Sequence, residues 1–489
     1  MTAENPQTAL NYIDGRWVDT DDHRPSHDPA TGRQIGTFAC ASRAHTEQAI
    51  NAAKRAFAGT QWRHDARLRA RVLNSMADAV DAHRDQLIEA LALENGKIVP
   101  EATFEVSMVA PKFRWWAAMA LTTQGRAADL GQGRTSLVLR EPVGVAGVIV
   151  PFNSPIILAT RSLGPALAAG TTAVVKFPEE TALVNSLFFK ILVEADPDLP
   201  TGVLNMVNTD RDGGSVIVES PDVPVISFTG STATGRAISA TGAAHLKRFS
   251  LELGGKSPMI LFEDADIEAA LPVLTHAITT FAGQFCMAGS RLLVHRSVAD
   301  TVRDQMSERL ANVRVGAARD PKSEMGPMID KANVARVDGI VEAAITAGAR
   351  VLTRGGIPTD AHLADGAFYL PTLLEVSDQS APVIQKETFG PVLTLQVFDT
   401  EPEAVALANG TEYGLAASVW TRDVDRSLRV ARALESGTVW INNWAAVYDE
   451  FEEGGYKSSG VGRLNGLAAL EDFLEYKHIA FSTKRPEGS

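Results

Sequence analysis

The chain has 489 residues, 45% apolar and 21% charged, an ordinary globular composition with enough material for more than one domain. Its 46 basic and 59 acidic residues leave a formal net charge of −13, which excludes nucleic acid or an anionic membrane surface as the main partner, since both need a basic face. Two cysteines cannot build a disulfide framework and fit a reducing cytoplasm.

The opening "MTAENPQTALNY" has no basic segment followed by an apolar core, so no secretory signal is expected and a cytoplasmic location is. No apolar run approaches the roughly 18 residues of a membrane helix. "SRAHTEQAINAAKRAFAG" and "RARVLNSMADAVDAHRDQLIEALALENGK" space their apolar residues by three and four and close near a glycine, which predicts helices. "TSLVLREPVGVAGVIVPFNSP" predicts strands rich in Val and Ile, interrupted by Pro142 and Pro151. Strands "TTAVVKF", "LNMVN" and "VPVISFTG" follow, with a helix over "TALVNSLFFKILVEA" among them. Short apolar strands alternating with helices predict a parallel α/β sheet covered on both faces. "RFSLELGGKSPMILF" reads as strand, glycine turn, strand, a crossing between domains. After it "LLVHRSV" and "VWINNW" read as strands, and "DVDRSLRVARALESG" as a helix stopping at Gly437. "LEDFLEYKHIAFS" ends the chain as an edge strand after a helix. No repeat or low-complexity linker interrupts it.

Chemistry-bearing residues sit at the ends of these elements. Cys286, in "GQFCMAGSR", reads alone as buried filler, because apolar neighbours raise a thiol's pKa and make it inert. Glu252, in "LELGG", alternates with Leu251 and Leu253, which puts its side chain on the opposite strand face; the glycines after it permit close approach of a ligand. It is a surface carboxylate or a general base. Asn153 follows an apolar strand in "VIVPFNSP", as a turn residue or as an amide aimed at a developing oxyanion. Lys176 and Glu179 follow the strand in "VVKFPEE", as a solvated pair or as ribose ligands. Gly230, Ser231 and Gly235 in "FTGSTATG" shape a phosphate-binding turn at a helix start, although GxGxxG is absent. "GGKS" has Ser250 where a P-loop needs its first glycine, and no GxSxG elbow occurs. The ten histidines are scattered, without HExxH or CxxC, so no metal site is expected.

Taken together and in order, "PFNSP", "ALAAGTTAVVKFPEE", "FTGSTATGR", "LELGGKSP", "GQFCMAGSR", "KETFGPV" and "GGYKSSGVGR" closely resemble the NAD(P)-dependent aldehyde dehydrogenase superfamily, from "YIDGRWV" to "LEYKHI". The resemblance implies an α/β fold with a Rossmann-like cofactor domain (1–122 and 143–254), an α/β catalytic domain (255–450), and a small bridging β oligomerisation element (123–142 and 465–489). It implies Cys286 as nucleophile, Glu252 as general base, and Asn153 with the Cys286 N–H as oxyanion donors. For the cofactor, NAD with NADP as the alternative, it implies Val150, Pro151, Phe152, Lys176, Glu179, Gly230, Ser231, Leu253, Glu387 and Phe389. Arg248, Arg463 and Glu475 resemble a structural charge cluster. The implied reaction is oxidation of an aldehyde to the acid through a cysteine thiohemiacetal and thioester. Relatives that pass the acyl group to coenzyme A lack the glutamate present here as Glu252. A homodimer or homotetramer is implied, with a bridging strand near Thr135 to Arg140.

The sequence departs from the family pattern at three places. Leu464 stands where the family usually has a glutamate implicated in a proton relay. Glu452 and Glu453 replace a proline and an apolar residue before "GGYK". "KF" replaces "KP", with the proline delayed to Pro178. For the substrate, Arg161 lies where some relatives meet a carboxylate or polar ring substituent. A second arginine found in semialdehyde-specific members is here Thr280. Phe285 and Trp444 lead a set of aromatics, with Phe281, Trp115, Trp116 and Tyr448, that line a pocket or pack in the core. An aromatic or broad-range aldehyde is expected, ahead of a betaine aldehyde, aminoaldehyde or semialdehyde. The reading from another class, an inactive crystallin-like scaffold, is opposed by the presence of Cys286 and Glu252.

Overall fold

The computed structural model describes residues 7–122 and 124–483; residues 1–6 of the opening segment, and residue 123 and 484–489 of the expected bridging element, lie outside the described residues. Among the described residues, two large sheets organise the chain. The first runs in the order Gly460–Val461, Arg248–Glu252, Val225–Thr229, Val145–Ile149, Thr172–Phe177, Leu204–Asn208, Asn11–Ile13, Arg16–Val18. From Arg248–Glu252 to Leu204–Asn208 it is parallel; its outer strands pair antiparallel, so the sheet is mixed where the alternation predicts a parallel one. The antiparallel strands are short; Asn11–Ile13 and Arg16–Val18 form a tight hairpin, and they and Gly460–Val461 reach the sheet from chain segments far from the strands they join, so no crossover helix dictates their direction. The second sheet runs Arg350–Thr353, Thr372–Glu375, Val392–Phe398, Arg291–His295, Pro258–Leu261, Ala416–Trp420, Thr438–Ile441. A third, three-stranded sheet pairs Leu474–Ser482, Arg134–Pro142 and Arg126–Asp129.

The central strands of the first sheet are buried on both faces. Val145–Ile149 and Thr172–Phe177 are nearly continuous runs of buried residues, as parallel strands under helices must be. The helix Pro155–Ala169 between them is buried at every position; a helix apolar all round belongs in a core. It ends at Gly170, whose φ of 100° is a left-handed cap open to glycine. Gly164 lets this helix press on Trp116, whose ring has no room for a Cβ there. Trp116 is fully buried and packs in the core.

Two predicted helices end differently. The segment 69–97 is broken at His83 into Ala66–Ala82 and Arg84–Ala90, with a π-turn at Leu91–Asn95 before Gly96 at φ 79°. The helix over 423–437 stops at Ala433, well before Gly437. A Cβ on Gly437 would overlap the carbonyl of Gly454, so that glycine serves a close approach of two loops. No helix among the described residues is long and apolar enough to cross a membrane.

Candidate active site

The parallel strands of the first sheet end along one edge, where ligands of open α/β sheets bind. The strand ending at Ile149 leads into Val150, Pro151, Phe152 and Asn153, and Thr172–Phe177 leads to Glu179. Val225–Thr229 leads to Gly230 and Ser231, and Arg248–Glu252 ends in Glu252 and Leu253.

Glu252 is anchored by its backbone. The Leu253 N–H donates to the Ser459 carbonyl at 2.8 Å, and the Ser459 hydroxyl donates to the Gly254 carbonyl at 2.7 Å. Gly255 lies so close to the Cys286 carbonyl that a Cβ would sit 2.6 Å from it. The double glycine therefore brings the Glu252 strand end against the cysteine turn. The Glu252 carboxyl is buried, and its Oε1 has no partner among the described residues. Burial pushes its pKa up to about 8, with Glu453 adding to the rise and Arg161 opposing it.

Cys286 follows a strained turn. Phe281, Ala282 and Gly283 have φ of 53°, 54° and 71°, a left-handed run that costs L-residues about 1–2 kcal/mol each and that clusters at functional sites. The turn is held from outside. Glu101 accepts the Phe281 N–H at 2.8 Å. The Gln284 amide donates to the Phe281 carbonyl at 3.1 Å and accepts the Ile329 N–H at 3.1 Å. Gly283 abuts the backbone of Gly390 and Pro391, leaving no room for a Cβ. The Cys286 side chain is half-buried, and neither its thiol nor its N–H makes a hydrogen bond among the described residues. Burial pushes the thiol pKa up to about 12, against the pull of Arg161.

The Asn153 loop is fixed from behind. Asn95 donates to the Phe152 carbonyl at 2.7 Å, and the Ser154 hydroxyl donates to the Asn153 carbonyl at 2.8 Å. Lys97 donates to the Ser154 hydroxyl at 2.9 Å, forms a buried ion pair with Glu105, and lies 4.0 Å from the Phe281 ring centroid. Glu105 also accepts the Ile156 and Ile157 N–H groups at 3.1 and 3.3 Å, capping the buried helix whose N-cap residue, Ser154, makes no side-chain cap. The Asn153 side-chain amide keeps no partner among the described residues. Sequence reasoning missed Lys97, Glu101 and Glu105, although "GKIVPEATFE" places three charges at steps of four, the signature of one helix face.

The cofactor candidates fall on the same edge. Ser231 is the N-cap of Thr232–Gly242 and accepts the Thr234 N–H. Glu387 accepts the Gly255 N–H at 3.2 Å, and burial raises its pKa to about 7. Phe389 takes φ 50° and meets the Phe152 ring edge-on at 5.9 Å. Lys176 has its pKa lowered by burial. Glu179 accepts from Arg24 at 2.5 Å, and Arg24 also pairs with Asp22 and Asp210, a partner not foreseen from sequence.

Of the substrate candidates, Phe285 packs edge-on to Trp444 at 5.7 Å and to Phe281 at 5.5 Å, and the Trp444 indole donates to the Met287 carbonyl at 3.0 Å. Arg161 is buried and already has a counter-ion. It donates to Glu453 at 2.7 Å and to the Thr229 hydroxyl at 3.2 Å. The other Glu453 oxygen accepts from Asn465 at 2.9 Å. The Asn465 oxygen accepts from Lys112 at 2.8 Å, and Lys112 pairs with Asp449. Glu453 and Leu464 exchange backbone hydrogen bonds of 2.7 and 2.8 Å. Tyr448 is exposed, its ring 6.3 Å from that of Phe451. The expected charge cluster is only partly assembled. Arg248 pairs with Glu475, whereas Arg463 donates to the Gly455 and Gly462 carbonyls.

Comparison with known proteins extends over the same span. The family model described as "Aldehyde dehydrogenase family" matches residues 17–479. Betaine aldehyde dehydrogenase of Bacillus subtilis (strain 168) is 36% identical over 97% of each chain. 2-Hydroxymuconic semialdehyde dehydrogenase of Pseudomonas sp. (strain CF600) is 36% identical over 96% of this chain and 98% of that one. The crystal structure of betaine aldehyde dehydrogenase from Staphylococcus aureus in complex with NAD+ superposes with a TM-score of 0.95, at 34% identity over 98% of this chain and 96% of that one.

Proposed function

The chain belongs to the aldehyde dehydrogenase family, and from that premise we propose that it oxidises an aldehyde to the carboxylic acid with NAD+, Cys286 acting as nucleophile. The observation that carries this reading is three polar groups left without partners, the Cys286 N–H, the Asn153 amide and Glu252 Oε1, two of them on segments that meet where Gly255 abuts the Cys286 carbonyl. Buried polar groups are normally paired, so unpaired ones mark places kept for a ligand.

The strand-end residues fit a dinucleotide. The helix start at Ser231 offers N–H groups to a pyrophosphate, Lys176 and Glu179 offer ribose contacts, and Phe152, Glu387 and Phe389 stand beside the cysteine loop. Bound there, NAD+ supplies the hydride acceptor. The Cys286 thiol gives its proton to solvent water and its sulfur attacks the aldehyde carbon. The Asn153 amide and the Cys286 N–H donate to the oxygen that becomes negative. After hydride loss Cys286 carries a thioester, and Glu252 takes a proton from the water that hydrolyses it. The raised pKa of Glu252 suits a base working near neutral pH.

The aromatic edge formed by Phe285, Trp444 and Phe281 supports an aromatic or broad-range aldehyde as substrate. We assign the described residues of 1–122 and 143–254 to the cofactor part, those of 255–450 to the catalytic part, and those of 123–142 and 465–489 to the bridging element. The exposed Tyr476, Ile479 and Phe481 on the strand Leu474–Ser482 favour a homo-oligomer built across that strand. The test is NADH absorbance with purified protein, NAD+ and a panel of aldehydes, with product analysis with and without coenzyme A. No NADH with any aldehyde and either nicotinamide cofactor would leave the scaffold reading standing.

A further inference from the structure

We propose that Glu453 sets the charge class of the substrate: by occupying Arg161 from inside the protein, it closes the site to aldehydes that carry a carboxylate and leaves it to uncharged ones. The inference rests on the dehydrogenase reading above and deepens it.

Arg161 is the guanidinium that acts on both Cys286 and Glu252; Arg463, which also acts on Glu252, donates to the Gly455 and Gly462 carbonyls. Arg161 projects from the buried helix Pro155–Ala169, reaches Thr229 at the end of the strand beside Glu252, and lies close enough to Cys286 and Glu252 for its charge to act on both. A free arginine at this place would be a carboxylate receptor, since its planar donors match a carboxylate. Here the carboxylate is built in. Glu453 lies next to Gly454, whose Cα hydrogen faces the Glu252 carboxyl so closely that a Cβ would come within 3.0 Å of Oε1. Both Glu453 and Arg161 are buried.

Glu453 is not free to swing aside. One oxygen holds Arg161 and the other holds Asn465, which Lys112 holds in turn. Its backbone is tied to Leu464 by two hydrogen bonds. A substrate carboxylate entering here would meet a neutralised arginine and an anchored anion. A buried like charge without its own partner is disfavoured. The Arg161 Nε still lacks an acceptor among the described residues, a donor suited to a neutral oxygen on the substrate.

The experiment compares butanal with 4-oxobutanoate, two four-carbon aldehydes that differ by a carboxylate, as the ratio of kcat/KM with NAD+. The wild type is expected to favour butanal. Glu453→Gln should raise the 4-oxobutanoate-to-butanal ratio by roughly tenfold or more, mostly through KM, as an arginine gains a charge-assisted partner. Glu453→Gln/Arg161→Gln should return the ratio to the wild-type value. If Glu453→Gln melts at room temperature, Arg161→Gln serves instead. It leaves an uncompensated carboxylate and should lower the ratio further. A wild type that prefers 4-oxobutanoate, or a ratio unmoved by the folded variants, overturns the proposal. Absence of butanal oxidation by the wild type sinks the dehydrogenase reading itself, so the two failures are distinct.

Discussion

The two sides of the Asn153 loop differ in how their polar groups are satisfied. Behind it, each charged group has at least one partner: Lys97 with Glu105 and Ser154, Glu105 also with two helix N–H groups, Glu101 with the Phe281 N–H, leaving Glu101 Oε2 alone unpaired. In front of it, the Asn153 amide, the Cys286 N–H and Glu252 Oε1 have no partners among the described residues. The difference teaches how a site is pre-organised. The rear network fixes the backbone, so that the forward groups can stay unpaired without collapsing onto each other.

Substitutions on the two sides should fail in different ways. Cys286→Ala is expected to remove NADH formation entirely while the melting temperature stays near the wild-type value; residual turnover would move the nucleophile elsewhere. Glu252→Gln should release one equivalent of NADH in a burst and then stall, visible in stopped-flow absorbance. A slow start without a burst would place Glu252 in thiol activation. Asn153→Ala should lower kcat by about 10²–10³, the usual loss for one oxyanion donor, again with little change in melting. On the rear side, Glu105→Gln leaves Lys97 buried without its counter-charge and should cost about 3–5 kcal/mol of stability, measured by denaturant unfolding. A rear variant that loses activity at full stability would erase the contrast. The smallest effect concerns pH. Glu252 must be deprotonated to act as base, and its pKa is raised to about 8. Deacylation should therefore rise as pH increases toward 8 and flatten above it, by about tenfold per unit on the rising limb. A flat profile between pH 6 and 8 would assign the proton to another group.

The strand ends were legible because apolar strands and their punctuation are local. "TTAVVKF" and "VPVISFTG" read as strands from their own composition, and the residues after them fall on one sheet edge. What sequence hid is set by contacts between distant segments. The antiparallel pairing of Asn11–Ile13 with Leu204–Asn208 and of Gly460–Val461 with Arg248–Glu252, and the close approach of Gly437 to Gly454, depend on neighbours in other parts of the chain. Arg161 read as a substrate contact, without its counter-ion, because nothing in "LATRSLG" announces Glu453, which meets it from nearly three hundred residues away. Glu452 and Glu453 were visible as departures from a family pattern, but not as a counter-ion. Trp116 read as lining a pocket or packing in the core, and only the contact with Gly164 shows which way its ring turns.

Gly283 abuts the backbone of Gly390 and Pro391, with nothing between them. One side of that seam leads to Cys286 and the other starts one residue after Phe389. The spacing of the Cys286 and Phe389 loops is thus set by a missing methyl group. Adding that methyl to Gly283 would wedge the two loops apart while leaving every proposed reactive side chain in the sequence.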